Sequence, residues 1–305
     1  MTETRTLGAR LVVLVPYLWL LFFFLAPFAI VVKMALSDYV IAQPPYTPTL
    51  ELGGGWDAIR SFVSELDFEN FVWLAQDSLY INAFLSSLKI ATISTAITLA
   101  VAYPMAYGLA SAPKRWRGPL VMLAILPFWT SFLIRVYAWK AVLKNDGLLN
   151  ETLMGIGLIS EPIAILSTPT AVYIGIVYSY LPFMILPIYA TLEKMDHSLI
   201  EAATDLGASR IQAFWLVTVP LSMPGVIAGC FLVFIPALGE FVIPDLLGGS
   251  GTLMLGKTIW DEFFLNGDWP VASAVAIVLL LALIVPIVLF QRQQQAARDT
   301  GEATP

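Results

Sequence analysis

The chain has 305 residues, of which 58% are hydrophobic and 12% are charged. That balance excludes a soluble domain of this size and points to a polytopic membrane protein. The formal net charge is −6, and with one cysteine, Cys230, an intramolecular disulfide framework is excluded too.

Apolar runs long enough to cross a bilayer occur at about six places: Leu11–Val32, Ile90–Leu109, Leu120–Leu143, Thr170–Leu192, Leu221–Ile243 and Val271–Phe290. Each offers roughly 20 residues at about 1.5 Å rise, enough for about 30 Å of hydrocarbon. The first run is longer than the apolar core of a signal peptide and is expected to stay as a span. The expected organisation is a tail and first helix over 1–33, an outer loop over 34–82, a core of five helices over 83–291 with a cytoplasmic loop at 193–220, and a tail over 292–305.

Charge sets the orientation. One set of loops holds Arg5, Arg10, Lys114, Arg115, Arg117, Lys194, Arg210, Arg292 and Arg298, and the opposite set holds Arg60, Lys144 and Lys257. Positive charge gathers on the cytoplasmic side, so both termini are expected there. The outer face is acidic, with Asp38, Glu51, Asp57, Glu65, Asp67, Glu69 and Asp77 before the second run and Asp261, Glu262 and Asp268 before the last. This charge serves solubility or concentrates a cationic solute. Each apolar run also contains a proline: Pro16 and Pro27, Pro104, Pro127, Pro182 and Pro187, Pro236, and Pro286. Such residues kink helices where neighbours or a watery cavity satisfy the freed backbone.

The polar segment between the fourth and fifth runs reads as two short helices with a hinge. Ser198 with Glu201, and Ser209 with Gln212, have the spacing of capping boxes. Gly207 stands where the first helix stops, and Pro220 suits the first turn of the next span. Leu199, Ala202, Ala203 and Leu206 share one face, an apolar patch that needs a covering partner. His197, the lone histidine, reads as a solvated loop residue.

Ionisable residues within or beside the membrane are functional candidates. Glu240 and Asp245 stand toward the outer end of the fifth run. They are helix-end residues at the interface, or Glu240 neutralises a cation on its path. Trp129, Tyr178 and Tyr180 fall near mid-membrane, where ring faces attract ammonium groups or simply pack. Of these, Trp129 and Tyr178 are the preferred path residues. Lys89, Arg135 and Lys140 are expected to snorkel.

Residues Gly251 to Thr258 match a P-loop pattern formally. A P-loop follows a strand and opens a helix inside a soluble α/β domain. Here the match sits in a short outer loop, so it is rejected. No His, Cys and carboxylate cluster suggests a metal, and no catalytic constellation suggests an enzyme.

The stretch Glu201-Ala202-Ala203, three residues, Gly207, then Pro220 resembles the EAA loop of ABC importer permeases. Residues 127–139, 172–178, 233–244 and 268–277 resemble the putrescine permease subunit of bacterial polyamine importers. The resemblance runs from Val15 to Phe290, with a variable outer loop at Gly53-Gly54-Gly55. It implies an all-α membrane protein of about six transmembrane helices, with the type I importer fold and both termini cytoplasmic. It implies pairing with a second, homologous permease, two copies of a cytoplasmic ATPase that uses the ATP, and a periplasmic polyamine-binding protein. No cofactor is expected on this chain. Glu201, Ala202, Ala203, Asp205 and Gly207 carry over as the ATPase-coupling residues. Glu240, Asp245, Trp129, Tyr178 and Tyr180 are the candidate substrate path. Another cationic or amine solute, or iron, stays open as cargo, and a gradient-driven secondary transporter is the alternative of a different class.

Overall fold

The structure is a computed structural model that describes residues 7–49, 55–196 and 198–301. Arg5, Gly53, Gly54, His197 and the last four residues lie outside the described residues. The chain divides into two units, residues 1–81 with 258–305, and residues 82–257.

In the first unit a span runs over Val12–Ala35. Its large side chains, including Leu14, Leu18, Phe22 and Leu25, are exposed, as suits a helix that meets lipid. A two-residue hairpin follows, with Asp38 opposite Thr47 and Tyr39 opposite Tyr46. The side-chain amide of Asn70 donates to the carbonyls of Ala35 (3.1 Å) and Ser37 (2.8 Å), closing the frayed end of the span. The helix Trp269–Gly301 packs on Ala26–Ala35. Its start is fixed by Asp268, whose carboxylate accepts the Val271 N–H at 3.0 Å. The Asp-Trp-Pro-Val stretch is thus, physically, a helix cap followed by a proline in the first turn.

In the second unit the long helix Ser78–Ser111, entered at residue 82, packs with Pro169–Glu193 and Val219–Leu238. The core between them is built from Ala102, Ala106, Met184, Ile185, Ile188, Val226 and Val233. Small residues let the last two helices approach. A Cβ on Gly225 would lie 2.4 Å from Thr191 Oγ1 and 2.5 Å from the Pro187 carbonyl. One on Gly229 would lie 2.7 Å from Met184 Sδ. The four-residue spacing is the small-residue pattern of close membrane helix pairs. Tyr103 Oη and Ser222 Oγ, 2.9 Å apart, add a polar tie.

Among the described residues four helices are long and apolar enough to cross a membrane, or five if a bent pair is counted as one span. Two of the expected runs are not continuous. Leu120–Leu143 is broken into Lys114–Trp129 and Phe132–Val142, which meet at 86°. Pro127 opens a tight turn at 126–129, and Thr130 and Ser131 are extended. Leu221–Ile243 is helical to Leu238, stops at Gly239, and resumes as the short helix Val242–Leu247. The breaks fall at Thr130-Ser131 and at Gly239-Glu240, short polar steps inside apolar runs that run length alone does not resolve.

Candidate functional site

The two breaks face one open cavity of about 610 Å3. Its walls include Phe128, Thr130 and Arg135 from the first break and Gly239, Glu240 and Phe241 from the second, with Ser179, Tyr180 and Phe183 from the helix between them. Interrupted membrane helices leave backbone groups without partners, and these must be satisfied in place. Each break here assigns the task to one buried charged side chain.

At the second break Glu240, 6% exposed, turns its carboxylate onto the helix start after it. Oε1 accepts the backbone N–H groups of Phe241 (3.1 Å), Val242 (3.0 Å) and Ile243 (3.4 Å). Oε2 accepts the hydroxyl of Tyr180. At the first break Arg135, 9% exposed, donates from Nη1 to the carbonyls of Pro127 (2.6 Å) and Thr130 (2.8 Å). Its guanidinium carbon lies 4.9 Å from the Phe128 ring centre and 5.9 Å from that of Phe132. Arg135 therefore does not snorkel as expected; it is drawn inward by carbonyls that the bend leaves open.

Of the five path candidates, the fold brings Tyr180 and Glu240 together and leaves the others elsewhere. Asp245 is exposed and pairs with Lys257 at 3.2 Å. Tyr178 meets Trp139 edge to face, with ring centres 5.3 Å apart. Trp129, adjacent to the cavity wall in sequence, is 71% exposed and does not line it. Between the two tyrosines, it is Tyr180 rather than the preferred Tyr178 that reaches the cavity. Ser179 and the phenylalanines Phe128, Phe132, Phe183 and Phe241 were missed, and Arg135 was expected at the interface instead. A polar Ser-Tyr step inside an apolar run, 60 residues from a membrane carboxylate, is a weak signal without the fold.

The polar loop between Pro169–Glu193 and Val219–Leu238 has the expected two-helix form. Ser198–Asp205 ends in a hinge at Gly207, whose φ is +88°. The N–H of Gly207 bonds the Thr204 carbonyl (2.9 Å) and that of Ala208 the Ala203 carbonyl (3.0 Å), the two closing bonds of a helix C-cap. Ser209 and Gln212 form the second capping box in full. The first one does not form. Ser198 already lies within the helix, and the Asp196 carboxylate accepts its N–H at 2.9 Å. Glu201 is exposed, and among the described residues its carboxylate has no partner. Ala202 and Asp205 are exposed and Ala203 is half-buried. Leu206 is 90% exposed and Ile211 72% exposed, so the apolar patch stands uncovered. Behind the loop, Arg117 pairs with Glu193 at 3.8 Å and its Nε donates to the Ala112 carbonyl.

The P-loop-like stretch is structural. The Leu255 N–H donates to Ser87 Oγ at 2.7 Å. A Cβ on Gly256 would lie 2.2 Å from the Gly239 carbonyl oxygen and 2.6 Å from that of Glu240. This glycine lets the chain press on the second break, which explains its presence without any phosphate.

Residues 9–296 match the family model described as the binding-protein-dependent transport system inner membrane component. The chain is 39% identical over 283 residues, 93% of each chain, to a spermidine/putrescine transport system permease protein, PotB, of Haemophilus influenzae. It is 45% identical over 216 residues to the PotB of Escherichia coli, covering 71% of this chain and 78% of that one. In fold it is similar to a chain of a bacterial ABC transporter that imports alginate, with a TM-score of 0.66 at 18% identity, covering 97% of this chain and 96% of that one. It is also similar to a chain of the MetNI methionine ABC transporter, with a TM-score of 0.56 at 16% identity, covering 75% and 98%. The broken spans, the hinged polar loop and these likenesses agree: the chain belongs to the family of inner membrane components of binding-protein-dependent transport systems, as a multi-pass permease of the ABC importer fold and not an enzyme.

Proposed function

We propose that this chain is the permease subunit of an ATP-driven polyamine importer, with putrescine as its preferred cargo. The observation that carries the reading is the 39% identity over 93% of both chains to a permease named for spermidine and putrescine. The acidic outer loops suit a cationic cargo.

In this reading both termini are cytoplasmic. A periplasmic binding protein delivers the polyamine to the outer face. A second, homologous permease closes the path. Two copies of a cytoplasmic ATPase dock on the loops of the two permeases and use the ATP, and this chain binds no cofactor. Glu201 offers an exposed carboxylate to the ATPase. Ala202 and Ala203 let the helix seat closely, Asp205 adds a second exposed charge, and Gly207 lets the helix turn on its neighbour. ATP binding closes the ATPases and swings the loops, which opens the path outward, and hydrolysis resets it.

Uptake of labelled putrescine by energised cells lacking this chain and other polyamine carriers tests the reading, with and without the chain restored. We expect uptake to depend on the chain and excess spermidine to compete poorly. Equal competition by spermidine would remove the putrescine preference, and uptake independent of the chain would remove the polyamine assignment.

A further inference from the structure

Two features of the cavity are not accounted for by the packing of the chain. Ser179 is 3% exposed and lines the cavity, yet among the described residues its hydroxyl has no hydrogen-bond partner. A buried hydroxyl without a partner costs free energy that a bound donor would recover. Glu240 lines the same cavity, buried, with no cation within ion-pair distance among the described residues. A buried carboxylate favours a counter-charge.

We propose that this cavity holds one ammonium end of an alkyl diamine or polyamine, accepted by the Ser179 and Tyr180 hydroxyl oxygens and balanced by the Glu240 carboxylate. The proposal rests on the polyamine reading above and adds to it the residues that hold the cargo. The hydroxyl of Tyr180 already donates its proton to Glu240, so its oxygen lone pairs face outward as acceptors. Phe128, Phe183 and Phe241 line the cavity beside these groups and give it apolar walls against which an alkyl chain packs. The volume, about 610 Å3, is in the range of small-molecule sites, about 300–1,000 Å3. Arg135 lines the same cavity with its charge held on two carbonyls, so a second ammonium is repelled from that wall. One end of the cargo is therefore held here, and the other points out through the open side.

Direct binding tests this without the contribution of a binding protein. The permease pair with its ATPase, reconstituted in lipid, is titrated with labelled putrescine and competed with n-butylamine, which carries a single ammonium. We expect Ser179→Ala to weaken putrescine binding roughly tenfold and Glu240→Gln roughly a hundredfold. Glutamine keeps an acceptor oxygen for the backbone N–H groups, and basal ATP hydrolysis reports intact assembly. n-Butylamine should displace putrescine from the wild-type complex and lose affinity in parallel in the variants. If Glu240→Gln fails to assemble, Ser179→Ala decides alone. Wild-type affinity for both amines in Ser179→Ala overturns the subsite. A wild-type complex that binds and imports no polyamine overturns the wider reading instead.

Discussion

Replacing Arg135 with methionine keeps most of the side-chain length and removes the guanidinium that spans the first break. Two carbonyls lose a charged donor, but they do not lose equally. The Pro127 carbonyl also accepts the Thr130 hydroxyl at 2.8 Å, so it stays paired. The Thr130 carbonyl, reached by Arg135 Nη1 at 2.8 Å, loses its charged donor. A hydrogen bond to a charged donor contributes about 1.5–3 kcal/mol. Loss of the guanidinium over the Phe128 and Phe132 rings adds about 0.5–2 kcal/mol. Arg135→Met should therefore destabilise the chain by roughly 2–5 kcal/mol. Thermal unfolding of the purified complex in one detergent measures this, with Arg135→Lys expected between the two because it keeps a charge but not the fork. An Arg135→Met complex that unfolds at the wild-type temperature and imports at the wild-type rate would refute the idea that this side chain holds the bend.

The remaining perturbations probe other parts of the chain. Gly225→Leu inserts a side chain where a single Cβ already meets Thr191 and Pro187; folded protein recovered from membranes should fall severalfold, and normal yield would show that the two helices can part cheaply. Glu201→Lys reverses an exposed charge on the hinged polar loop; ATP-driven uptake should be lost with membrane insertion unchanged, and unaltered uptake would remove its proposed coupling role. At Asp268, burial holds the carboxyl above its ordinary range, with Glu262 adding to the rise and the Val271 N–H opposing it. The folded chain then keeps a proton that the unfolded chain releases. The stability from that proton is full below the unfolded pKa and is lost as pH rises through the folded one. Asp268→Asn should flatten the part of the unfolding profile at and just above the ordinary aspartate pKa, about 3.9, and an unchanged slope would contradict it.

Much of the fold was legible because apolar length alone locates spans, as for Val12–Ala35 and Pro169–Glu193. The hinge at Gly207 and the Ser209–Gln212 box were legible because their bonds close within a few residues. The Ser198–Glu201 box was misread because Asp196, two residues earlier, competes for the same N–H. The breaks were hidden because a bent apolar run and a straight one have the same hydropathy. Arg135 and Glu240 were visible as charges, but their duties depend on where the backbone opens. The Tyr180–Glu240 bond joins residues far apart in sequence, and no local pattern announces it.

The most direct test is uptake into sealed vesicles. This chain, its partner permease and the ATPase would be reconstituted with ATP inside and the binding protein loaded with labelled putrescine outside. We expect putrescine to accumulate with ATP, to fail with a non-hydrolysable analogue, and to fail when this chain is omitted. ATP hydrolysis without accumulation of putrescine or spermidine would contradict the assignment of polyamines as the cargo.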